Sequence, residues 1–265
     1  MPKKGFYLAA RKFEPAEVRL LIDAVNSAGF ITPKKTADLT EKLNNLLSVY
    51  QSEELASQVY CEQANKCNNE EIYHTINVLD SAIKNCEKVK FQHRTRKIDK
   101  EKRKSYTTKT FIVSPYGLVW KNDNYYLICN KESHNNLISM RLDRIRNITV
   151  LKTPARPVWE CCDYKDGFDV ADYTSKMFNM FGGEIMPVTF VCDLDLREQI
   201  LDRFGEKVKL IGVDINHFST TVDVAVSDGL ASWIMQFGDK IKVQEPACLV
   251  DLIKDKTSKI AKLYQ

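Results

Sequence analysis

The residues of this chain best suited to chemistry lie between positions 110 and 145, where guanidinium, hydroxyl and phenol side chains interrupt apolar runs. Arg141 and Arg144 close this stretch, and Tyr126 lies in an apolar run before them. Arginine can form bidentate hydrogen bonds with phosphate, and an aromatic ring stacks on a nucleic-acid base with roughly 1–3 kcal/mol per base. These side-chain types predict a site for single-stranded nucleic acid or a nucleotide phosphate. The candidate binding residues are Tyr116, Tyr126, Arg141, Arg144, Ser114, His93 and Arg94.

A second interpretation of the charged residues stays open. If residues 137–143 form a strand, Arg141 and Asp143 lie on one face and Leu142 lies on the other. The guanidinium and the carboxylate can then pair with each other and satisfy the edge of a sheet without any ligand. The spacing alone fits both interpretations.

Short antiparallel strands are the elements expected to position these side chains. Apolar runs at residues 111–113, 118–120, 125–129 and 137–142 are separated by turn formers, among them Asn122-Asp123-Asn124. An earlier strand at residues 88–94 places Val89 and Phe91 inside and its charges outside. A helix followed by four or five short strands is typical of a small β-barrel or a strongly bent sheet.

Positive charge is concentrated in one segment. The chain has a formal net charge of +4, and residues 88–109 contain ten Lys or Arg against Asp99 and Glu101. A basic segment on a slightly acidic body indicates a local site for a polyanion. The alternative is a solvated loop, because residues 99–105 have almost no apolar side chains.

The composition is that of a soluble globular protein, with 44% hydrophobic and 28% charged residues. No apolar run approaches the ~20 residues that cross a bilayer, and the N-terminal residues lack the apolar core of a signal peptide. We therefore expect a cytoplasmic protein without a membrane partner. The eight cysteines form no CxxC pair, and we predict neither a metal site nor a cofactor.

Motifs for catalysis are missing from the sequence. It contains no G-x-G-x-x-G, P-loop, G-x-S-x-G or H-E-x-x-H pattern. Its four histidines are scattered, without a carboxylate or cysteine at ligand spacing. We expect that the protein is not an enzyme, since a nuclease or nucleotide-modifying enzyme would need clustered carboxylates at metal spacing.

Helices precede the strand unit and a mixed domain follows it. Apolar spacing predicts helices that begin near residues 15, 33, 52 and 71, after a short strand at residues 5–8. A proline-rich break at residues 153–157 is followed by a helix expected at residues 170–181. The order β-α-β-β-α-β plus a terminal helix then predicts a ferredoxin-like arrangement. The fold class is α+β.

The stretch VSPYGLVWKNDNYYLICNKESHNNLISMRLDRIRNI resembles the WYL domain of bacterial transcription regulators. The resemblance is carried by Pro115-Tyr116, by Tyr125-Tyr126-Leu127 and by Arg141-Leu142-Asp143-Arg144-Ile145, with Tyr125 in place of the signature tryptophan. Many members have an arginine just before the Ser-Pro-Tyr step, where this chain has Lys109-Thr110. KGFYLAARKFEPAEVRLLIDAV resembles the family's linker helices, and MFNMFGGE, LDRFGEKV and MQFGDKIKVQEP resemble its C-terminal extension.

The resemblance implies three parts. Residues 1–68 would hold the end of a wing and linker helices, residues 69–155 an Sm-like, SH3-type β-barrel, and residues 156–265 a ferredoxin-like extension. The barrel would sense a ligand, with single-stranded nucleic acid as the expected class, and the helices and the extension would form a homodimer. Because such regulators start with a winged helix-turn-helix, operator DNA is an expected partner only if that domain lies upstream.

The sequence therefore predicts the ligand-sensing and dimerisation portion of a WYL-type transcription regulator. Single-stranded nucleic acid or a nucleotide-like effector on the barrel would control DNA binding. The alternative is a protein–protein interaction module, or a regulatory accessory protein, with no nucleic-acid ligand. Ionic strength separates the two, since phosphate contacts weaken steeply with salt and an apolar protein interface does not.

Overall fold

The structure is a computed structural model that describes residues 13–56, 66–97, 105–162, 164 and 167–265. In these ranges it confirms the α+β class, with helices and two antiparallel sheets. The helices are α1 (Pro15–Ser27), α2 (Pro33–Asn44), α3 (Val49–Ala56), α4 (Ile72–Lys84), α5 (Val170–Ser175), α6 (Arg197–Phe204), α7 (Asp228–Met235) and α8 (Ala247–Leu263). The strands are β1 (Glu87–Lys97), β2 (Ser105–Lys121), β3 (Asn124–Asn130), β4 (Leu137–Arg141), β5 (Ile145–Pro154), β6 (Glu184–Asp193), β7 (Ile211–Gly212), β8 (His217–Val226) and β9 (Ile241–Glu245). The strand expected at residues 5–8 lies outside the described residues.

The first helices begin at the proline signals seen in the sequence. Pro15 occupies the first turn of α1, and the backbone N–H of Glu14 donates to Glu17 Oε2 at 2.8 Å. Thr32 caps α2, its hydroxyl accepting from the backbone N–H of Lys35 at 3.3 Å. The turn between these helices is buried and carries Phe30, so it packs into the body of the protein.

The first sheet has the order β4-β3-β2-β1-β5. Its long strand β2 is shared: the first half pairs with β1, as in Phe91↔Phe111, and the second half pairs with β3, as in Leu118↔Leu127. The register shifts between Pro115 and Gly117, where β2 passes from one partner to the other. The expected strand meander is therefore present, bent around one continuous strand.

One hydrophobic core is formed by this sheet and the helices that pack on it. Phe91, Leu127 and Leu142 are fully or almost fully buried there, together with Leu79 of α4. Phe30 from the α1–α2 turn belongs to the same core. Burial of each such side chain stabilises the fold by about 1.5–3 kcal/mol, so the helices that precede the sheet are part of its packing.

The second sheet has the order β7-β8-β6-β9, with antiparallel neighbours throughout. Along the chain its elements follow as β6, α6, β7, β8, α7, β9 and α8, which is the order expected from the sequence. Phe190, Ile200 and Leu230 lie in its core and are completely buried. Whether the two sheets are an Sm-like barrel and a ferredoxin-like domain stays a prediction.

One helix is shorter than expected. The apolar pattern at residues 170–181 predicts a single helix, but α5 ends at Ser175. Asn179 and Met180 have φ angles of 50° and 59°, in the left-handed region that ends a helix. Met177 and Phe178 are buried in two different cores, so tertiary packing rather than helical periodicity explains the apolar residues here.

A third core joins the two sheets. Ile128 and Leu137 from the outer face of the first sheet contact a cluster that includes Met177, Met180 and Ala225. These side chains are between 0% and 6% exposed. The two sheets therefore share a buried apolar junction, to which Met177 and Met180 of the segment after α5 contribute.

Candidate nucleic-acid interface

A cleft of about 780 Å³ opens on the first sheet. Five segments line it: the α1–α2 turn, residues 66–69, the ends of β1 and β2 near Arg94–Arg96 and Tyr106, the β2–β3 turn, and residues 141–146. These segments are far apart in sequence and meet because β1 lies between β2 and β5 in the sheet.

Positive charge dominates the lining of the cleft. It has six cationic side chains and two carboxylates. The cations are Lys66, Arg94, Arg96, Arg141, Arg144 and Arg146, and the carboxylates are Asp123 and Asp143. A concave surface with this excess attracts anions, because its walls focus the field of several cations into one volume.

Arg141 pairs with Asp143 across a short 3-10 turn, Leu142–Arg144. Its Nε and Nη2 donate to the two carboxylate oxygens of Asp143, each at 2.9 Å. This bidentate bond raises the pKa of Arg141. Leu142 is fully buried, but β4 ends at Arg141, so the opposite orientations of Leu142 and the charged pair come from the 3-10 turn and not from the strand expected at residues 137–143.

The backbone of this turn is held by two neighbours. Arg146 Nη1 donates to the carbonyls of Asp143 and Ile145, each at 2.8 Å. The buried side chain of Asn69 donates to the same two carbonyls, at 3.3 and 3.1 Å. Lys66 holds another wall, since its Nζ donates to the Val25 and Ala28 carbonyls at 3.0 and 3.2 Å. These bonds fix the shape of the cleft.

Three arginines of the cleft are exposed: Arg94, Arg96 and Arg144. The guanidinium of Arg94 lies over the ring of Tyr106, 4.5 Å from its centroid, and that tyrosine is 46% exposed. Within the described part of the chain, none of the three arginines forms an ion pair with a carboxylate.

The other side of the cleft is polar and less basic. The β2–β3 turn presents Asn122, Asp123 and Asn124 there. Asn122 and Asp123 have φ angles of 50° and 55°, the left-handed conformation that a tight hairpin turn requires and that Asn and Asp tolerate. Asn124 Nδ2 donates to the Asn122 carbonyl at 2.6 Å and holds the turn.

Comparison with protein-family profiles matches residues 74–150 to the WYL domain and residues 184–261 to the WCX domain. The chain therefore contains a WYL domain followed by a WCX domain. The first sheet and helix α4 carry the WYL match, and the second sheet carries the WCX match. The family assignment made from the sequence is thus confirmed.

Among solved structures, the chain is similar to proteasome accessory factor B/C (PafBC) of Arthrobacter aurescens. The identity is 14% and the TM-score 0.34, with 89% of this chain and 34% of that chain covered. The WYL-domain chain therefore spans about a third of the length of that structure. Comparison with the curated proteins finds no match.

Three of the seven candidate residues line the cleft of the WYL domain: Arg94, Arg141 and Arg144. His93 and Tyr126 do not line it but lie beside the same charges. Burial, and then the charge of Arg144, lowers the pKa of His93. Burial raises the pKa of Tyr126, which lies opposite Arg141 in the β3–β4 pairing.

The other two candidates lie elsewhere in the WYL domain. Ser114 is 3% exposed, and its hydroxyl accepts from the backbone N–H of Arg156 at 2.9 Å. The hydroxyl of Tyr116 donates to the Arg156 carbonyl at 2.8 Å, and burial raises its pKa. Both side chains fix the segment that leaves β5, because their polar atoms bond its backbone.

Sequence reasoning missed several residues of the cleft, above all Arg96, Tyr106 and Arg146. The first two lie in the basic segment at residues 88–109, whose excess of charge indicated a polyanion site without saying which residues face it. The signal for Tyr106 was an aromatic residue among cations, which is typical of nucleic-acid surfaces.

Neither a membrane-spanning helix nor a metal-binding cluster is present in the part of the chain that the structure describes. No helix in those ranges is long and apolar enough to cross a membrane. No three His, Cys, Asp or Glu side chains converge there as a group able to hold a metal ion.

Proposed function

We propose that this chain is the ligand-sensing and dimerising portion of a WYL-type transcription regulator, and that its cleft binds single-stranded nucleic acid or a nucleotide-like effector. The observation that carries the proposal is the lining of the cleft, where six cations face two carboxylates around an exposed tyrosine. The WYL and WCX domains of the chain support a regulatory role in transcription.

A single strand fits this surface better than a duplex or a free phosphate. Arg94, Arg96 and Arg144 come from two segments and offer several separate phosphate contacts. Tyr106 offers a ring to a base, and only an unstacked base can use it. A duplex keeps its bases stacked, and a free phosphate would leave the tyrosine unused.

The ligand would act by shifting a conformational equilibrium. A strand that binds one arrangement of the WYL domain and its neighbours more tightly than another raises the population of that arrangement. In a regulator this shift would change operator binding, through a helix-turn-helix domain if one lies upstream.

The architecture behind this role is also part of the proposal. The order β4-β3-β2-β1-β5 around a bent β2 supports an Sm-like, SH3-type barrel, and the order β7-β8-β6-β9 supports a ferredoxin-like extension. We keep the division at residues 1–68, 69–155 and 156–265. The two family matches, at residues 74–150 and 184–261, fall inside the second and third parts.

Dimerisation is supported by apolar side chains left exposed on helices. Leu20 of α1 is 70% exposed, and Leu263 at the end of α8 is 79% exposed. Light scattering of the full chain measures the oligomeric state: a homodimer is expected, and a monomer at every concentration would contradict this part of the proposal.

Fluorescence anisotropy of a labelled oligodeoxythymidylate of about twelve nucleotides, within the usual range of site sizes, tests the ligand. The full chain should bind this strand more tightly than the matching duplex or a mononucleotide. The double substitution Arg96→Ala/Arg144→Ala should abolish binding, whereas Arg197→Ala, an exposed arginine of α6 outside the cleft, should not.

The interaction-module alternative predicts the opposite outcome. If the cleft binds an acidic protein or none at all, the labelled strand will not bind even at low salt. Equal affinity of the double variant and the wild type would also contradict the site.

A further inference from the structure

The turn between β2 and β3 belongs to two surfaces at once. On one side, Asn122, Asp123 and Asn124 line the basic cleft. On the other side, the side chain of Asn122 donates to Asn179 Oδ1 at 3.1 Å, in the segment that follows α5. The neighbouring Lys121 points the same way, since its Nζ donates to the carbonyls of Thr174 and, at 3.2 Å, Met177.

The segment that receives these bonds is anchored in the other domain. Arg203 of α6 donates through Nη2 to the same Met177 carbonyl at 3.0 Å, and its guanidinium lies 4.1 Å from the ring centroid of Phe178. Cations from two domains therefore meet on one carbonyl. The side chain of Met177 is 1% exposed in the core that joins the two sheets.

Burial at this junction disfavours the charged forms of Lys121 and Arg203. Burial lowers the pKa of Lys121 to about 8, and burial also lowers the pKa of Arg203. A lysine that serves solubility would keep its amine in water. Here the side chain is partly buried and its amine is bonded to backbone carbonyls, so its direction is fixed by the junction.

The β2–β3 turn is also short, and it leads directly into β3, the strand that pairs with Arg141 of the cleft. Its two left-handed residues allow little freedom between β2 and β3. Three residues after Asp123, Tyr126 of β3 pairs with Arg141, whose side chain lines the cleft. A displacement of the turn thus displaces the start of β3 and one wall of the cleft together.

We propose that the β2–β3 turn couples occupancy of the cleft to the docking of residues 174–181, and through them to the C-terminal domain. This inference rests on the proposed function. A strand whose phosphates bind the exposed arginines directs bases toward Asn122 and Asn124, because the carboxylate of Asp123 repels phosphate and the amide oxygens of the two asparagines can accept from the N–H groups of base edges. Coupling is reciprocal, so loosening the junction must change the affinity for the strand.

Hydrogen exchange of the full chain, with and without the labelled oligodeoxythymidylate, tests the coupling. The amide of Ala225, which donates to the Lys176 carbonyl at 2.9 Å, and the amides of residues 174–181 report the state of the junction. Their exchange rates should change about fivefold or more on binding, the lower range of typical coupling between sites. In Lys121→Met the strand should still bind, with altered affinity, while these rates no longer respond. Lys121→Arg, which keeps a cation and its donors, should restore the response.

The outcomes separate the two proposals. If the wild type does not bind the strand, the proposed function fails. If the wild type binds but exchange at residues 174–181 and at Ala225 does not respond, the function stands and the coupling is refuted. Should Lys121→Met fail to fold, the wild-type comparison alone decides the question, and Asn179→Gly tests the second bond of the turn while tolerating the φ of 50° at that position.

Discussion

The salt dependence of binding can be worked out from the exposed arginines. Arg94, Arg96 and Arg144 are the cleft cations without a carboxylate or backbone partner among the residues that the structure describes. For a single strand, each neutralised phosphate contributes about 0.7 to the slope of log affinity against log salt. Three contacts predict a slope of about −2, so that raising salt from about 50 to 200 mM weakens binding about 18-fold.

Arg144→Ala removes one of these contacts. The expected slope becomes about −1.4, and the same change in salt then weakens binding about 7-fold. Arg197→Ala, the matched control on α6, should keep the wild-type slope. Anisotropy titrations at four or more salt concentrations measure the three slopes. A wild-type slope near zero, or equal slopes for Arg144→Ala and Arg197→Ala, would refute the assignment of these arginines.

Three further substitutions test neighbouring parts of the site. Tyr106→Ala should weaken strand binding about fivefold, at the low end of a stacking contact because Arg94 covers one face of the ring, and Tyr106→Phe should not. Asp143→Asn removes a carboxylate and releases Arg141, so titrations should show tighter binding at low salt and little gain at high salt; weaker binding would contradict this reading of the pair. The pKa of His93 is lowered in the folded state, so thermal stability should fall as pH drops below the unfolded value of about 6.5. His93→Gln should reduce that fall, and an unchanged pH profile would contradict it.

The sequence predicted where the strands of the WYL domain lie better than it predicted how long they are. The alternation of apolar and charged residues around Val89 and Phe91 predicted β1, and both of these side chains are buried. The polar beginning of β2 at residues 105–109 has no apolar period, and it is a strand because β1 pairs with it, as in Thr95↔Thr107. A pattern within one segment cannot show a strand that exists only through its partner.

The cleft could be predicted in composition but not in arrangement. The basic segment and the two arginines at and just after the end of β4, Arg141 and Arg144, were both visible in the sequence, more than thirty residues apart. Only the β1–β5 pairing, in which His93 lies opposite Ile145, brings Arg94 beside Arg144. The role of Lys66 depends on the carbonyls at the end of α1, and nothing in its own segment indicates them.

The cations of the cleft divide into two kinds, and the division decides what each can do. Arg141 is bonded to a carboxylate, and Arg146 and Lys66 are bonded to carbonyls. These three side chains donate hydrogen bonds to the protein itself and stabilise the walls of the cleft. Arg144 and Arg96 are exposed and make no such bonds within the described ranges, so a phosphate can take their donors without displacing a protein partner. A buried or paired donor that must leave its partner loses one bond for each one it gains, whereas an exposed donor exchanges only water. Binding energy should therefore concentrate on the exposed arginines, although the sequence pattern drew attention first to Arg141.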